Sequence, residues 1–248
     1  APKVGWLHIL SSINYREWYV LAEFIDNSIA SYLLHIKKKN FPKTFKLKIK
    51  IICKTKKISI EDNAGGIHDN DLGRAFITAA PPANTKSLNE FGVGMKIAAK
   101  YFTDKMTIMT KAIGESKRKE IIIDYSKIEN MPHGVMPTIQ PKEISTPRNK
   151  SSFTIITLKE IREDKVLSNK VQKKIRAKLE SRYRKFFDDG SVTILFNDDR
   201  LIYKKPKVRV RERFESLKQY YKDKKNKPKP IRWEKKFNFY FGKNNLKA

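Results

Sequence analysis

Three short stretches of the sequence carry residues that could together bind and cleave a nucleotide. In the first, Glu23 and Asn27 are four residues apart, so on a helix a carboxylate and an amide project from one face. Because the surrounding residues are apolar at helical spacing, this pair can equally be the ordinary polar edge of a buried helix. Whether this pair belongs to a functional site therefore depends on the two other stretches.

The second stretch is an acid followed by a glycine turn. Asp62 ends a run that alternates like a β-strand, and Asn63-Ala64-Gly65-Gly66 then contains no bulky side chain. An acid at this place can accept a hydrogen bond from the exocyclic amine of adenine, while glycines such as Gly66 let the backbone approach the base. A plain Asp-Asn-x-Gly turn without a ligand is the common alternative.

The third stretch is the glycine loop Gly92-Val93-Gly94-Met95-Lys96, at the start of a predicted helix. Backbone N–H groups at a helix N-terminus can bind phosphate, and the lysine adds a positive charge. The spacing fits neither the Walker-type loop nor the Rossmann fingerprint. A lone glycine turn before a helix is usually structural. The ordered set of three stretches, however, predicts a base, a magnesium ligand, an adenine-binding acid and a phosphate cradle, which are the groups that ATP hydrolysis requires.

The composition favours a folded protein with a polyanionic partner. Hydrophobic residues make up 40% and aromatic residues 11% of the 248 residues, which argues against disorder. The 54 Lys and Arg residues outnumber the 26 Asp and Glu residues and give a net charge of +28. Such an excess favours nucleic acid first and an anionic membrane surface second. A lysine-rich source proteome with solvated charged surfaces is the alternative.

Other features exclude several classes of site. The single cysteine, Cys53, allows no intramolecular disulfide and no cysteine zinc site, and the four histidines show no metal-ligand spacing. The sequence contains no apolar run long enough to span a membrane and no recognisable signal peptide. We therefore expect no membrane partner and a cytoplasmic location, or a nuclear one in a eukaryote.

Apolar spacing predicts the order of helices and strands. The predicted helices cover residues 14–39, 69–77, 93–102 and the basic segment 171–187, and the predicted strands cover 44–53, 57–61, 105–110, 119–124, 153–158, 192–196 and 237–241. Residues 79–90, with two prolines, predict a loop. We expect the last strand to have no later partner in the chain. The sequence would then be part of a longer protein whose C-terminal region could bind a further protein.

The segment from residue 200 to residue 236 is the most basic, with 16 Lys and Arg against 4 Asp and Glu. If its first part is a strand, one face presents a row of cations. These are Lys205, Lys207, Arg209, Arg211 and Arg213. We expect this row to bind DNA or RNA with little sequence preference. An edge strand whose lysines prevent aggregation is the alternative.

On these stretches the sequence resembles the GHKL ATPase superfamily, which includes gyrase B subunits, large heat-shock chaperones, histidine kinases and mismatch-repair ATPases. The resemblance covers residues 14–160 and implies a Bergerat-type α/β sandwich, a mixed sheet with helices on one face. It implies that Glu23 is the general base that polarises the attacking water and that Asn27 is the magnesium ligand. The other implied ATP-binding residues are Asp62 as the adenine-reading acid, Gly66, the phosphate loop Gly92, Val93, Gly94, Met95 and Lys96, and Thr154, which helps to hold that acid.

Within the superfamily, Glu23 argues against a histidine kinase, because kinases usually carry Asn at that place. The Gly-x-Gly-x-Lys form of the third stretch is most similar to the MORC group and its bacterial relatives. Two departures are Ala30, where many relatives have an acid, and Ser151-Ser152, where relatives have a glycine before the late threonine. The resemblance implies an ATP-binding domain over residues 1–160, with a lid over 68–90, and a basic, transducer-like domain over 161–248.

The function that these observations favour is Mg²⁺-dependent ATP binding and hydrolysis in a molecular clamp or switch that acts on nucleic acid. ATP would close the lid and favour a homodimer, and hydrolysis would reopen it. The alternative is an ATP-dependent protein-remodelling chaperone on the same fold. A non-hydrolysing ATP sensor is disfavoured by Glu23, and a simple basic RNA-binding domain would leave the three stretches unexplained.

Overall fold

A computed structural model of the chain describes residues 16–76, 94–130, 140–146, 151–205, 238–241 and 244–247. The helices are α1 (Glu17–Lys37), α2 (Asp69–Phe76), α3 (Gly94–Phe102), α4 (Tyr125–Glu129), α5 (Asn169–Arg182) and α6 (Arg184–Asp188), with a 3₁₀ turn at Glu163–Lys165. The strands are β1 (Leu47–Lys54), β2 (Lys57–Asp62), β3 (Lys105–Lys111), β4 (Lys117–Asp124), β5 (Lys142–Ser145), β6 (Phe153–Lys159), β7 (Val192–Phe196), β8 (Asp199–Arg200), β9 (Asn238–Phe241) and β10 (Asn244–Lys247).

Eight strands form one mixed sheet in the order β5-β4-β3-β6-β2-β1-β7-β8. Every neighbouring pair is antiparallel except β1 and β7, which run parallel. The strands alternate between buried and more exposed residues, as in β1, whose Leu47, Ile49 and Ile51 are fully buried. One face of the sheet therefore forms the core, as the alternation in the sequence predicts.

Helix α1 lies at the centre of this core. Leu21, Ile25 and Ile29 recur at helical spacing and are fully buried, and each such side chain contributes about 1.5–3 kcal/mol when it leaves water. The helix packs against α3, α5 and β1. Even α1, with its 21 residues, is not apolar enough to cross a membrane, and neither is any other helix in the described part of the chain.

The structure departs from the predicted elements at several places. The basic helix is interrupted at Tyr183, so that α5 and α6 replace one continuous helix. The short elements α4, β5 and β8 carry too little apolar periodicity to be predicted. The prediction that the last strand has no later partner is wrong. Strand β9 pairs antiparallel with β10, Phe241 being opposite Asn244.

The chain divides into two compact units, Ala1–Tyr203 and Lys204–Ala248. The resemblance placed a domain boundary at residue 160, but β7 pairs with β1 and α5 packs against α1, so the residues up to Tyr203 belong to the first unit. The transducer-like character of the residues beyond 160 stays a prediction.

Candidate nucleotide-binding site

Asp62 is the last residue of β2, and its carboxylate is buried with 7% of the residue exposed. The hydroxyl of Ser28 donates to Oδ2 at 2.7 Å, and the backbone N–H of Ala64 donates to Oδ1 at 2.9 Å. Burial raises the pKa of Asp62 to about 6, although both hydrogen bonds favour the charged form. A buried carboxylate keeps further lone pairs with which it can accept a hydrogen bond from a ligand amine.

Two threonines from neighbouring strands lie beside this acid. In the register of the sheet Asp62 is opposite Thr154 on β6, and Thr154 is opposite Thr110 on β3. The two threonine Oγ1 atoms are 3.4 Å apart. Thr110 also accepts from the backbone N–H of Ile67 at 3.0 Å and thereby ties the glycine turn to the sheet. The structure thus brings Thr154 to Asp62 and adds Thr110, which the motifs did not indicate.

Ser152 adds a polar atom without a partner at the same end of the sheet. Its side-chain oxygen is buried and has no hydrogen bond within the described part of the chain. Ser152 precedes Thr154 by two residues, the spacing that puts side chains on one side of an extended chain. An unsatisfied buried hydroxyl typically costs about 1–3 kcal/mol. A polar group of a ligand could remove that cost.

The glycine turn after Asp62 is closely packed against protein. A Cβ on Gly66, whose φ is +70°, would lie 2.1 Å from the carbonyl oxygen of Lys111. A Cβ on Gly65 would lie 2.1 Å from the imidazole ring of His35. Packing against β3 and α1 is therefore sufficient reason for both glycines, and direct contact of Gly66 with a nucleotide stays a prediction.

Glu23 and Asn27 lie on α1, one turn apart, as the helical spacing predicts. Glu23 is half-buried. Burial raises its pKa, the charge of Asp26 raises it further, and the charge of Arg182 opposes both. Within the described residues, neither the carboxylate of Glu23 nor the amide of Asn27 has a hydrogen-bond partner. Both groups are thus available for a ligand.

The start of α3 lies directly against Glu23. A Cβ on Gly94 would be 2.0 Å from Oε2 of Glu23, so only glycine permits this approach. Lys96 in the first turn of α3 is buried, and burial lowers its pKa to about 8. Met95 packs against the hydrophobic core. Gly92 and Val93 lie outside the described residues, so their place in the site stays a prediction.

Helix α5 is fixed to α1 beside these residues. Arg182 lies with Nη2 2.7 Å from Oδ2 of Asp26, and the hydroxyl of Tyr183 donates to Oδ1 of the same carboxylate at 2.8 Å. Burial and the charge of Asp26 raise the pKa of Tyr183. Because Asp26 is three residues from Glu23 and next to Asn27, this contact positions the site. Arg182 and Tyr183 are 156 and 157 residues away from Asp26 in the sequence, and no sequence motif indicates either contact.

The comparisons with known proteins agree with this geometry. The family model of the histidine kinase-, DNA gyrase B-, and HSP90-like ATPases matches residues 15–161, which is more than half of the chain. The chain belongs to this family. The mixed sheet with helices on one face is its Bergerat fold. Members of the family bind ATP, and the GHKL membership that the motifs predict is confirmed.

In all, 379 chains of solved structures match. One is the ATPase region of Saccharomyces cerevisiae topoisomerase II, with a TM-score of 0.50, 13% identity and coverage of 74% of this chain and 48% of that one. The same region bound to ICRF-187 (dexrazoxane) gives a TM-score of 0.49 and 14% identity, with coverage again 74% and 48%. The GHKL chain thus spans about half the length of these proteins, and at such identity the likeness shows the fold. No curated protein matches.

The described residues fit ATP at both ends. A buried acceptor, Asp62, and the orphaned hydroxyl of Ser152 suit the base, and the glycine start of α3 with the buried Lys96 suits the phosphates. The side-chain oxygen of Asn27 is a ligand type that magnesium accepts. Within the described ranges, no cluster of three or more Asp, Glu, His or Cys side chains could hold a metal ion. Phosphate oxygens and water would complete the shell of a magnesium ion at Asn27.

The beginning of the predicted GHKL lid is fixed to the β3–β4 hairpin. Nζ of the buried Lys119 lies 2.6 Å from the carboxylate of Asp69 and 2.5 Å from that of Glu115. His68 lies 3.1 Å from the same glutamate. Residues 77–90 of the lid region and Lys207, Arg209, Arg211 and Arg213 lie outside the described residues. Lys205 is described and is exposed. Nucleic-acid binding by this row stays a prediction.

Proposed function

We propose that this protein binds ATP with magnesium, hydrolyses it, and uses the cycle to open and close a homodimeric clamp on nucleic acid. One observation supports the ATPase part above all others. Helix α1 touches the adenine-reading acid through Ser28, 2.7 Å from Asp62, and touches the start of α3 through Glu23, which lies against Gly94. One rigid element thus spans the base end and the phosphate end.

At the base end, the carboxylate of Asp62 accepts a hydrogen bond from the exocyclic amine of adenine. Ser28 and the N–H of Ala64 hold the carboxylate in place, and Thr154 and Thr110 supply hydroxyls beside it. GTP carries a carbonyl where ATP carries the amine. Two acceptors would then face each other, so the site should prefer ATP.

At the phosphate end, Glu23 acts as the general base. Burial raises the pKa of Glu23 toward neutral pH, and a general base works best when its pKa lies near the pH of the reaction. As the water oxygen bonds to the γ-phosphorus, the bond from that phosphorus to the β–γ bridging oxygen breaks. The water proton passes to Glu23, and ADP leaves with the bridging oxygen. Backbone N–H groups at the start of α3 and the charge of Lys96 stabilise the phosphate oxygens.

Asn27 is the ligand that this chain offers to magnesium. When bound, the ion would neutralise charge on the phosphate oxygens. Asp26, held by Arg182 and Tyr183, fixes the turn of α1 that carries Glu23 and Asn27. Positioning of this kind matters because small displacements of a catalytic group reduce rates strongly.

The proposal of a nucleic-acid clamp rests on the net charge of the chain and on its family. The net charge of +28 favours a polyanionic partner, and the Bergerat fold occurs in the ATPase region of a topoisomerase. The Gly-x-Gly-x-Lys form of the third stretch supports a relationship between this chain and the MORC group. In GHKL proteins ATP closes the lid and favours a dimer. We propose that this chain does the same.

The test is the ATPase rate of the wild type, of Glu23→Gln and of Glu17→Gln, with and without duplex DNA at several salt concentrations. Glu17 lies on the same helix and serves as a matched control. We expect Glu23→Gln to bind ATP and to hydrolyse it about 10²–10⁴ times more slowly, with Glu17→Gln near the wild type. Wild-type hydrolysis by Glu23→Gln would refute the assignment of the base. A rate that responds to unfolded client protein and not to DNA would favour the chaperone.

A further inference from the structure

Helix α5 carries a solvent face whose charges are of one sign. Four of its lysines are exposed and have no ion pair with any described residue, whereas Ile175 and Leu179 face the core. The four are Lys170, Lys173, Lys174 and Lys178. The acid of the helix, Glu180, is already paired with Arg176 at 3.1 Å. We call these four lysines the α5 basic face.

This arrangement works against the stability of the helix. Lys170 and Lys174, and then Lys174 and Lys178, are four residues apart, and like charges at that spacing destabilise a helix by about 0.2–0.5 kcal/mol per pair. The first turn contains no acid, although the helix dipole favours negative charge there. A surface selected only for solubility would mix both signs. The pattern therefore points to a bound polyanion.

The remaining exposed residues of α5 indicate which polyanion. They include Asn169, Ala177 and Ser181, and none is aromatic or a large aliphatic side chain. A helix that lies on a membrane needs such side chains to enter the lipid. Single-stranded nucleic acid is usually held by stacking of its bases on aromatic rings. Lysines with small neighbours therefore suit neither a membrane nor a single strand, whereas the phosphate backbone of a duplex needs cations alone.

The spacing also suits a duplex. At 1.5 Å per residue, Lys170 and Lys178 are about 12 Å apart along the helix axis. Duplex DNA carries one negative charge per about 1.7 Å of its axis, so a line of this length faces several phosphates. We propose that the α5 basic face is a binding site for the phosphate backbone of duplex DNA. This inference specifies the partner surface within the proposed function and rests on it.

The experiment measures binding of a fluorescent 20-base-pair duplex, whose length is about 68 Å, across a series of salt concentrations. The test variant carries Lys170→Gln, Lys174→Gln and Lys178→Gln, because glutamine keeps the helix propensity of lysine. The control variant carries Lys54→Gln, Lys57→Gln and Lys159→Gln, three exposed lysines on neighbouring strands of the sheet. The control removes the same charge from another surface.

We expect the test variant to lose about 2.7 from the slope of log affinity against log salt, at about 0.9 per phosphate contact, and to bind about 10²-fold more weakly near 0.1 M salt. The control should keep the wild-type slope. All three proteins should retain the same ATPase rate without DNA, which shows that the site of hydrolysis is intact.

Three outcomes would overturn the proposal. If the test variant and the control bind alike, α5 is not the site, although the proposed nucleic-acid function stands. If a single strand of equal length binds as tightly as the duplex and is equally weakened, the ligand is not a duplex backbone. If the wild type does not bind DNA even at low salt, the site and the nucleic-acid part of the proposed function fail together, while the ATPase rate tests the remainder separately.

Discussion

Replacing Asp62 with Asn should make the ligand-free protein more stable at neutral pH and should also weaken its binding of ATP. The carboxylate is buried, and burial raises its pKa from its usual value near 3.8 to about 6. An acid with a higher pKa in the folded state binds its proton more tightly when folded. The free energy of unfolding therefore falls as the pH rises from about 4 to about 6.

The size of this effect follows from the pKa difference. Each pKa unit corresponds to about 1.4 kcal/mol, so the charged Asp62 lowers the stability of the folded protein by about 3 kcal/mol at pH 7. An asparagine keeps the hydrogen bonds. Its Oδ1 can accept from the N–H of Ala64, and its Nδ2 can donate to Ser28, whose hydroxyl can in turn donate to the carbonyl of Phe24. The change therefore removes the buried charge and keeps the hydrogen bonds to Ala64 and Ser28.

The assay is urea unfolding of the wild type and of Asp62→Asn between pH 4 and pH 7.5, with ATP binding measured in parallel. The difference in unfolding free energy should grow by between about 2 and 3 kcal/mol in favour of the variant as the pH rises through this range. Asp124→Asn is a control for which we expect the opposite pH dependence of the difference in unfolding free energy. Asp124 accepts from Ser126 and caps α4, and these hydrogen bonds lower its pKa. A difference for Asp62→Asn that is flat or falls with pH would refute the reasoning.

Further predictions concern the phosphate end of the site. Asn27→Ala should weaken ATP binding when magnesium is present and change it little in EDTA, as titration calorimetry would show. Equal weakening in both conditions would contradict the ligand assignment. Gly94→Ala should push Glu23 away, because the new Cβ would lie 2.0 Å from its carboxylate, and should lower kcat at least about tenfold. An unchanged kcat would mean that this contact is not used. Arg182→Met removes a charge that lowers the pKa of Glu23, so the acid limb of the pH–rate profile should move to higher pH. A shift to lower pH would reverse that argument. A non-hydrolysable ATP analogue should slow hydrogen exchange across residues 79–90 and shift sedimentation toward a dimer, and no change in either would count against the clamp.

The sequence predicted the elements that obey a simple period. Strand β7 was predicted at the residues where it occurs, and β2 within one residue, because each alternates strictly between the core and the other face. The helical spacing that put Glu23 and Asn27 on one face is likewise present in α1. Such local patterns depend on one element and its burial, and both can be read from neighbouring residues.

The parts that escaped prediction depend on contacts between distant residues. Strand β5 at the edge of the sheet has only one partly buried residue and therefore no alternation to detect. Thr110 reaches the site only because β3 and β6 pair in a particular register, and register is a property of two strands. The contact of Arg182 with Asp26 joins two helices that local patterns cannot relate.

The parallel pairing of β7 with β1 has a practical consequence for anyone who wishes to dissect the protein. A fragment cut after residue 161, where the family match ends, would lose β7 and leave β1 as an exposed edge with unpaired backbone groups. It would also lose Arg182 and Tyr183 and leave the buried carboxylate of Asp26 without either partner. Open edges of this kind template aggregation. The shortest piece that can be expected to remain monodisperse therefore extends to Tyr203.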